Sequence, residues 1–138
     1  MVNLFSHINL KYIFDNESNL TIMNNFDELS FIPKRLFFIN NLSPFSVRGA
    51  HAHKTCSQLI FVLRGEVKIE LDNFYIKSNI VLSPQSGAIQ VPPMVWATQT
   101  YNEPDSMLCV LASEAFSEEE YIRNYSEFEV ECEILRND

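Results

Sequence analysis

Two of the chain's three histidines, His51 and His53, stand one residue apart. In an extended segment alternate side chains share a face, so both imidazoles would point the same way, with Cα atoms roughly 6.5–7 Å apart. Such a pair can hold a metal, move protons, or form a hydrogen-bonded polar patch on a sheet. A zinc or iron centre needs more ligands than two imidazoles. The nearby Gln58 is neutral, segment 86–101 has no histidine, and His7 lies near the N-terminus. Arg48 and Lys54 flank the pair, and cationic neighbours lower an imidazole pKa, keeping a ring neutral and basic near pH 7. The residue types therefore favour proton transfer. The matching substrate has an acidic C–H beside a carbonyl, and phosphates for Arg48 and its neighbours to hold.

These side chains need a rigid platform, and the surrounding sequence reads as strands. Segments 20–23 and 35–39 are β-like, with Pro33 before the second. Segment 57–65 is an apolar run that fits a buried central strand. In 66–76, Val67, Ile69 and Leu71 alternate with Glu66, Lys68 and Glu70, and a turn follows at Asp72-Asn73. Two short strands flank Pro92-Pro93, which belong at a bend or an edge. Segment 107–113 is another buried strand. Turns every eight to twelve residues suggest an antiparallel sandwich or barrel. Ser117 followed by Glu120 predicts a capping box and a helix whose first turn carries Glu118, Glu119 and Glu120. The tail 127–134 alternates Phe128, Val130, Cys132 and Ile134 with four glutamates, which predicts an amphipathic strand with a solvated acidic face.

Composition sets the outer bounds. The chain has 138 residues, 46% apolar and 20% charged, which fits one globular domain spanning 1–138. Eleven Phe and five Tyr favour strands, while only three Gly leave many turns to Asn, Asp, Pro and Ser. A net charge of −8 argues against nucleic acid as a partner. Cys56, Cys109 and Cys132 are widely spaced and odd in number, so no disulfide framework is expected, and Cys56 and Cys109 read as buried thiols. Reduced thiols fit a cytoplasmic location. Neither a signal peptide nor a membrane span is legible.

His51-Ala52-His53, four residues, Gln58, six residues and Gly65 resemble the first motif of the cupin superfamily. That resemblance implies an all-β cupin double-stranded β-helix, a jelly-roll barrel with a short C-terminal helix and the site in its mouth. The longer string RGAHAHKTCSQLIFVLRGEVKIELDN (48–73) is similar to a narrower branch, the nucleotide-sugar 3,4-ketoisomerases of bacterial glycan biosynthesis. PKRLFFI, SPQSGAIQVPPMVWATQT and VLASEAFSEEEYIRNYSEF extend the likeness from about residue 8 to residue 128.

The resemblance implies a dTDP-4-keto-6-deoxyhexose substrate whose ketone moves from C4 to C3. A PLP-dependent aminotransferase would act next, giving a 3-amino-3,6-dideoxy sugar for a glycan such as a lipopolysaccharide O-antigen. It also implies a homodimer with exchanged N-terminal strands, and neither a metal nor an organic cofactor. His51 becomes the candidate carbon base and His53 the partner at the oxygens, with the reverse assignment open. Arg48 and Arg35 carry over as diphosphate ligands. Lys54 either joins them or is solvated. Gln58 would bond the sugar, and Trp96 would stack on thymine or sugar or else pack in the core. Three positions depart from the family pattern. Phe37-Phe38 stand where a tyrosine is common, Glu17 where an arginine is, and Ala97 where a histidine is. Tyr101 or a water would have to supply the missing hydroxyl. A 3,5-epimerase, a non-catalytic sugar-nucleotide sensor and a metal-dependent cupin are the alternatives.

Overall fold

The computed structural model describes residues 3–24, 26–40 and 43–138. Alternating apolar residues are satisfied by two facing antiparallel sheets. The first has the order β1 (Ser6–Ile8), β9 (Ala88–Val91), β6 (Gln58–Arg64), β11 (Met107–Ala112), β4 (Arg35–Ile39). The second runs β12 (Tyr121–Ile122), β5 (Ser46–His53), β10 (Trp96–Tyr101), β7 (Val67–Asp72), β8 (Lys77–Leu82). A separate hairpin joins β2 (Lys11–Phe14) to β3 (Asn19–Ile22). Between the sheets, Ile60 and Val62 of β6 and Leu108 and Val110 of β11 meet Val67, Ile69 and Leu71 of β7 and Tyr101 of β10, all fully or almost fully buried. This is the expected jelly-roll sandwich, and the predicted strands at 35–39, 57–65, 66–76 and 107–113 fall on β4, β6, β7 and β11.

Each sheet also covers part of its outer face. On the first, Ile8, Leu29, Leu59 and Ala88 form a second cluster with Leu10, Met23, Phe31 and Phe61. On the second, Ala52, Ile122 and Trp96 lie beneath helix α1 (Tyr125–Asn137), against its Phe128 and Cys132. Among the described residues no helix is long and apolar enough to cross a membrane.

The C-terminal third departs from the sequence reading. Glu118–Glu120 form one turn of 3-10 helix, and the Ser117 side chain does not cap it. The α-helix begins later, capped by Asn124, whose side chain accepts from the Glu127 amide at 3.1 Å. The tail 127–134 belongs to this helix and is not a strand. Phe128 and Cys132, four residues apart, make one buried helical stripe, whereas Val130 and Ile134 are about half exposed. Alternation misled here because the glutamates favour helix as well as they mimic a polar strand face. The turn at Asp72-Asn73 is present: the Asn73 side chain accepts from the Tyr75 and Ile76 amides at 3.1 and 2.9 Å.

Candidate active site

Strand β5 carries the histidines, and one irregularity decides what they face. Opposite β10, Ala97 pairs with His51 and Gln99 with Arg48, while the register shifts between Ala97 and Thr98. Ala97 and Gln99 are two apart and share a face, so Arg48 and His51 share it too, although they are three apart. The surplus residue is absorbed at Gly49 (φ 83°) and Ala50 (φ 58°), a β-bulge with left-handed backbone. Without it, uniform alternation would turn Arg48 to the opposite face from both imidazoles. Gly49 is required: a Cβ there would lie 2.8 Å from the Ala97 carbonyl oxygen.

His53 is buried and held from both sides. Its Nδ1 lies 2.6 Å from Glu120 Oε2, and its Nε2 lies 3.1 Å from Gln58 Nε2. An ionised carboxylate only accepts, so Nδ1–H donates to Glu120 and the Nε2 lone pair accepts from the Gln58 amide. Glu120 Oε1 accepts from the Thr55 and Cys56 backbone amides at 2.9 and 2.8 Å. Burial pushes the Glu120 carboxyl up, but these donors and His53 outweigh it and hold the group below its ordinary range. Burial lowers the His53 pKa, and the Glu120 hydrogen bond opposes that shift.

His51 is half-buried and edge-on to His53, with ring centroids 5.0 Å apart. Its Nδ1 is buried without a hydrogen-bond partner among the described residues. Burial and the adjacent His53 lower its pKa to about 4, so it is a neutral ring at physiological pH. Tyr121 packs against both rings, at 5.0 Å from His51 and 4.5 Å from His53. Its hydroxyl is 3.4 Å from Arg35 Nη1, and the Arg35 guanidinium lies over the Phe37 ring at 5.2 Å. Arg123 stacks on Tyr121 at 4.5 Å while pairing with Glu118 at 2.6 Å.

The structure thus gathers His51, His53, Gln58 and Arg35 at one place. Arg48 is exposed on the same face, close enough for its charge to reach the buried Tyr101 phenol. Two sequence candidates lie elsewhere. Trp96 is on the opposite face of β10, where it packs against Tyr125 and Phe128 at 5.2 and 5.6 Å, so it is core under the helix and not a wall of the histidine site. Lys54 follows His53 and points the other way, lining an outer groove with Glu127 and Glu131 of α1. His7 bonds the Ser86 carbonyl at 2.7 Å and takes no part. Tyr101, a candidate for the missing hydroxyl, instead donates to Gln99 at 3.0 Å in the core.

Sequence reasoning missed Glu120, Tyr121 and Arg123. The three acids at 118–120 read as a helix start, and only the string Tyr-Ile-Arg marked the segment. His53, Cys56 and Glu120 have ligand-type atoms within 4.8 Å of one another. Within this trio His53 Nδ1 is hydrogen-bonded to Glu120, whereas the Cys56 thiol bonds the Ser57 carbonyl and the Ser113 hydroxyl.

The family described as FdtA: WxcM-like, C-terminal matches residues 4–133. A TDP-4-oxo-6-deoxy-alpha-D-glucose-3,4-oxoisomerase of Aneurinibacillus thermoaerophilus is 32% identical over 121 residues, 88% of this chain and 87% of its own length. The 3,4-ketoisomerase QdtA of Thermoanaerobacterium thermosaccharolyticum, solved with TDP, superposes with a TM-score of 0.88 at 31% identity, covering 98% of each chain. A histidine-to-asparagine variant of QdtA has been solved with TDP-4-keto-6-deoxyglucose. WlaRB of Campylobacter jejuni, a TDP-quinovose 3,4-ketoisomerase, aligns at 30% identity with a TM-score of 0.83, over 94% of this chain and 99% of its own.

Proposed function

This chain belongs to the FdtA: WxcM-like, C-terminal family, and from that premise we propose that it is a cytoplasmic sugar isomerase moving the ketone of dTDP-4-keto-6-deoxyglucose from C4 to C3. The observation that carries the reading is the apposition of two inward imidazoles beneath Arg35 and beside Arg48. The named activities of the relatives support the substrate class.

The geometry supports the following chemistry. The C3 hydrogen is α to the C4 ketone, so a neutral base can take it and leave an enediolate. His51 is that base, since its ring is neutral and not tied to a carboxylate. Negative charge collects on O4, where the Gln58 amide, the Tyr121 hydroxyl and the Arg35 guanidinium can donate. As the Gln58 amide turns to O4 it frees His53 Nε2, which takes the O3 proton while the His51 imidazolium delivers its own to C4; His53 then passes its proton to O4, so one ring at a time is charged. The ketone ends at C3 and both rings end neutral. Such positioned acid–base groups typically contribute ~10²–10⁴-fold each. Arg48 at the mouth holds the diphosphate, with Arg35 deeper.

A 3-keto sugar is an electrophile suited to a PLP-dependent aminotransferase, which is the partner enzyme of this reading. A homodimer fits the exposed apolar side chains of the N-terminal hairpin, Ile13, Phe14 and Leu20. They stand near an apolar depression lined by Leu10, Met23, Phe61 and Leu111.

The test is to incubate the protein with dTDP-4-keto-6-deoxyglucose in D₂O and follow the sugar by NMR. The expected product has its ketone at C3, with deuterium at C4 to the extent that the base exchanges with solvent. Deuterium at C3 and C5 without ketone movement would mean epimerisation, and binding without exchange would mean a sensor. Either result refutes the reading.

A further inference from the structure

Among the three consecutive acids, Glu120 alone is drawn inward; Glu118 and Glu119 remain exposed. Its backbone and side chain are both clamped by the turn that follows His53. The Lys54 amide donates to its carbonyl at 2.9 Å, and the Thr55 and Cys56 amides donate to Oε1. With one oxygen so fixed, the other has a set direction, toward His53 Nδ1. We propose that Glu120 is a positioning residue, which locks His53 in its Nδ1–H tautomer and stabilises the charge when that ring takes a second proton.

Both flanks of the ring agree on one tautomer. Nδ1–H meets a carboxylate, which can only accept, and Nε2 keeps a lone pair that meets the Gln58 amide donor. The opposite tautomer would leave the carboxylate facing a lone pair inside a buried cluster. The charged groups around the ring act in both directions. Glu120 favours the imidazolium, while Arg35 on β4 and Arg123 after β12 disfavour it. His51 on β5 and the neutral Tyr121 phenol complete the surround. Two adjacent imidazolium rings would repel each other, so the relay carries one positive charge at a time. Among the described residues, a carboxylate lies at hydrogen-bond distance from His53 and none from His51.

This inference deepens the ketoisomerase reading and rests on it for the catalytic consequence, though not for the tautomer. The first measurement is therefore independent of activity: nitrogen NMR of ¹⁵N-histidine-labelled protein at pH 8, with His53 assigned through His53→Asn. A protonated Nδ1 and a pyridine-like Nε2 are expected. An Nε2–H ring, or a rapidly exchanging mixture, would overturn the proposal. The second is Glu120→Gln. The new carbonyl must stay with the two backbone amides, so its NH₂ faces Nδ1 and drives the ring to Nε2–H. Turnover should fall roughly 10²- to 10⁴-fold, as expected for a catalytic histidine held in the wrong tautomer, with dTDP affinity unchanged. Unaltered tautomer and turnover would overturn the role. The third is Gln58→Leu, which removes the other partner. His53 should stay Nδ1–H; a switch to Nε2–H would assign the tautomer to Gln58 instead. If the D₂O experiment shows no isomerisation while the tautomer responses hold, the reaction assignment fails and the lock stands.

Discussion

Gly49→Ala should damage this protein through backbone geometry alone. Gly49 sits at φ +83°, and a Cβ there would lie 2.8 Å from the Ala97 carbonyl oxygen. Placing an L-residue in the left-handed region costs about 1–2 kcal/mol. Crowding against a backbone atom that cannot swing away adds about 1–3 kcal/mol. Ala97 is held on both sides, by β5 and by β7, so little relief is available. The total is about 2–5 kcal/mol, which for a domain of this size corresponds to a Tm lower by roughly 6–25 °C. Calorimetry reads the stability, and turnover measured well below the new Tm reads the site. Activity should fall further than the unfolded fraction explains, because a displaced bulge turns Arg48 away from the histidines. Ala50→Gly is the control. Ala50 is exposed at φ 58°, so relief of strain is offset by unfolded-state entropy and the change should stay within about 1 kcal/mol. A Gly49→Ala protein that melts and turns over like wild type would refute the bulge argument, as would equal damage from Ala50→Gly.

His51→Asn and His53→Asn should each abolish ketone transfer while dTDP binding, followed by calorimetric titration, changes little. Trp96→Phe should lower stability, seen as a reduced denaturant midpoint, without changing dTDP affinity, because Trp96 packs under α1 and not at the site. Tyr125→Phe removes a 2.6 Å hydrogen bond to Asp72 and should cost about 1.5–3 kcal/mol, with faster amide exchange in α1. His51, held near pKa 4 in the fold against about 6.5 unfolded, contributes fully above pH 6.5 and loses that contribution as the pH falls toward 4. The urea midpoint should therefore decline across that window, and His51→Asn should flatten the decline.

Much of the fold was legible because strands with one buried face must alternate. Val67, Ile69 and Leu71 announced β7, and continuous apolar runs announced β6 and β11, each covered on both faces. The same logic failed at 127–134, where a short glutamate-rich segment satisfies two periods at once and only the docking of Phe128 and Cys132 on Trp96 and Ile122 selects the helix. Arg35 was reached through the family resemblance and Gln58 through its motif position on a strand, and the structure places both side chains near the histidines.

The sequence by itself determined the chemistry on offer: two imidazoles with one orientation, cations beside them and a strand-rich chain to hold them. It could not determine which other groups reach those rings. Glu120 and Tyr121 are separated from His53 by 67 and 68 residues, and a short antiparallel pairing of Tyr121 with His53 brings them together. Nor could it show that Arg48 shares the histidines' face, because a bulge changes parity without changing composition. Tertiary structure decided which groups flank His53, the burial that lowers the His51 pKa, and the packing of Trp96 under α1 and of Lys54 in an outer groove. Each depends on burial and on which side chains meet, and these are properties of the folded sandwich, not of the linear chain.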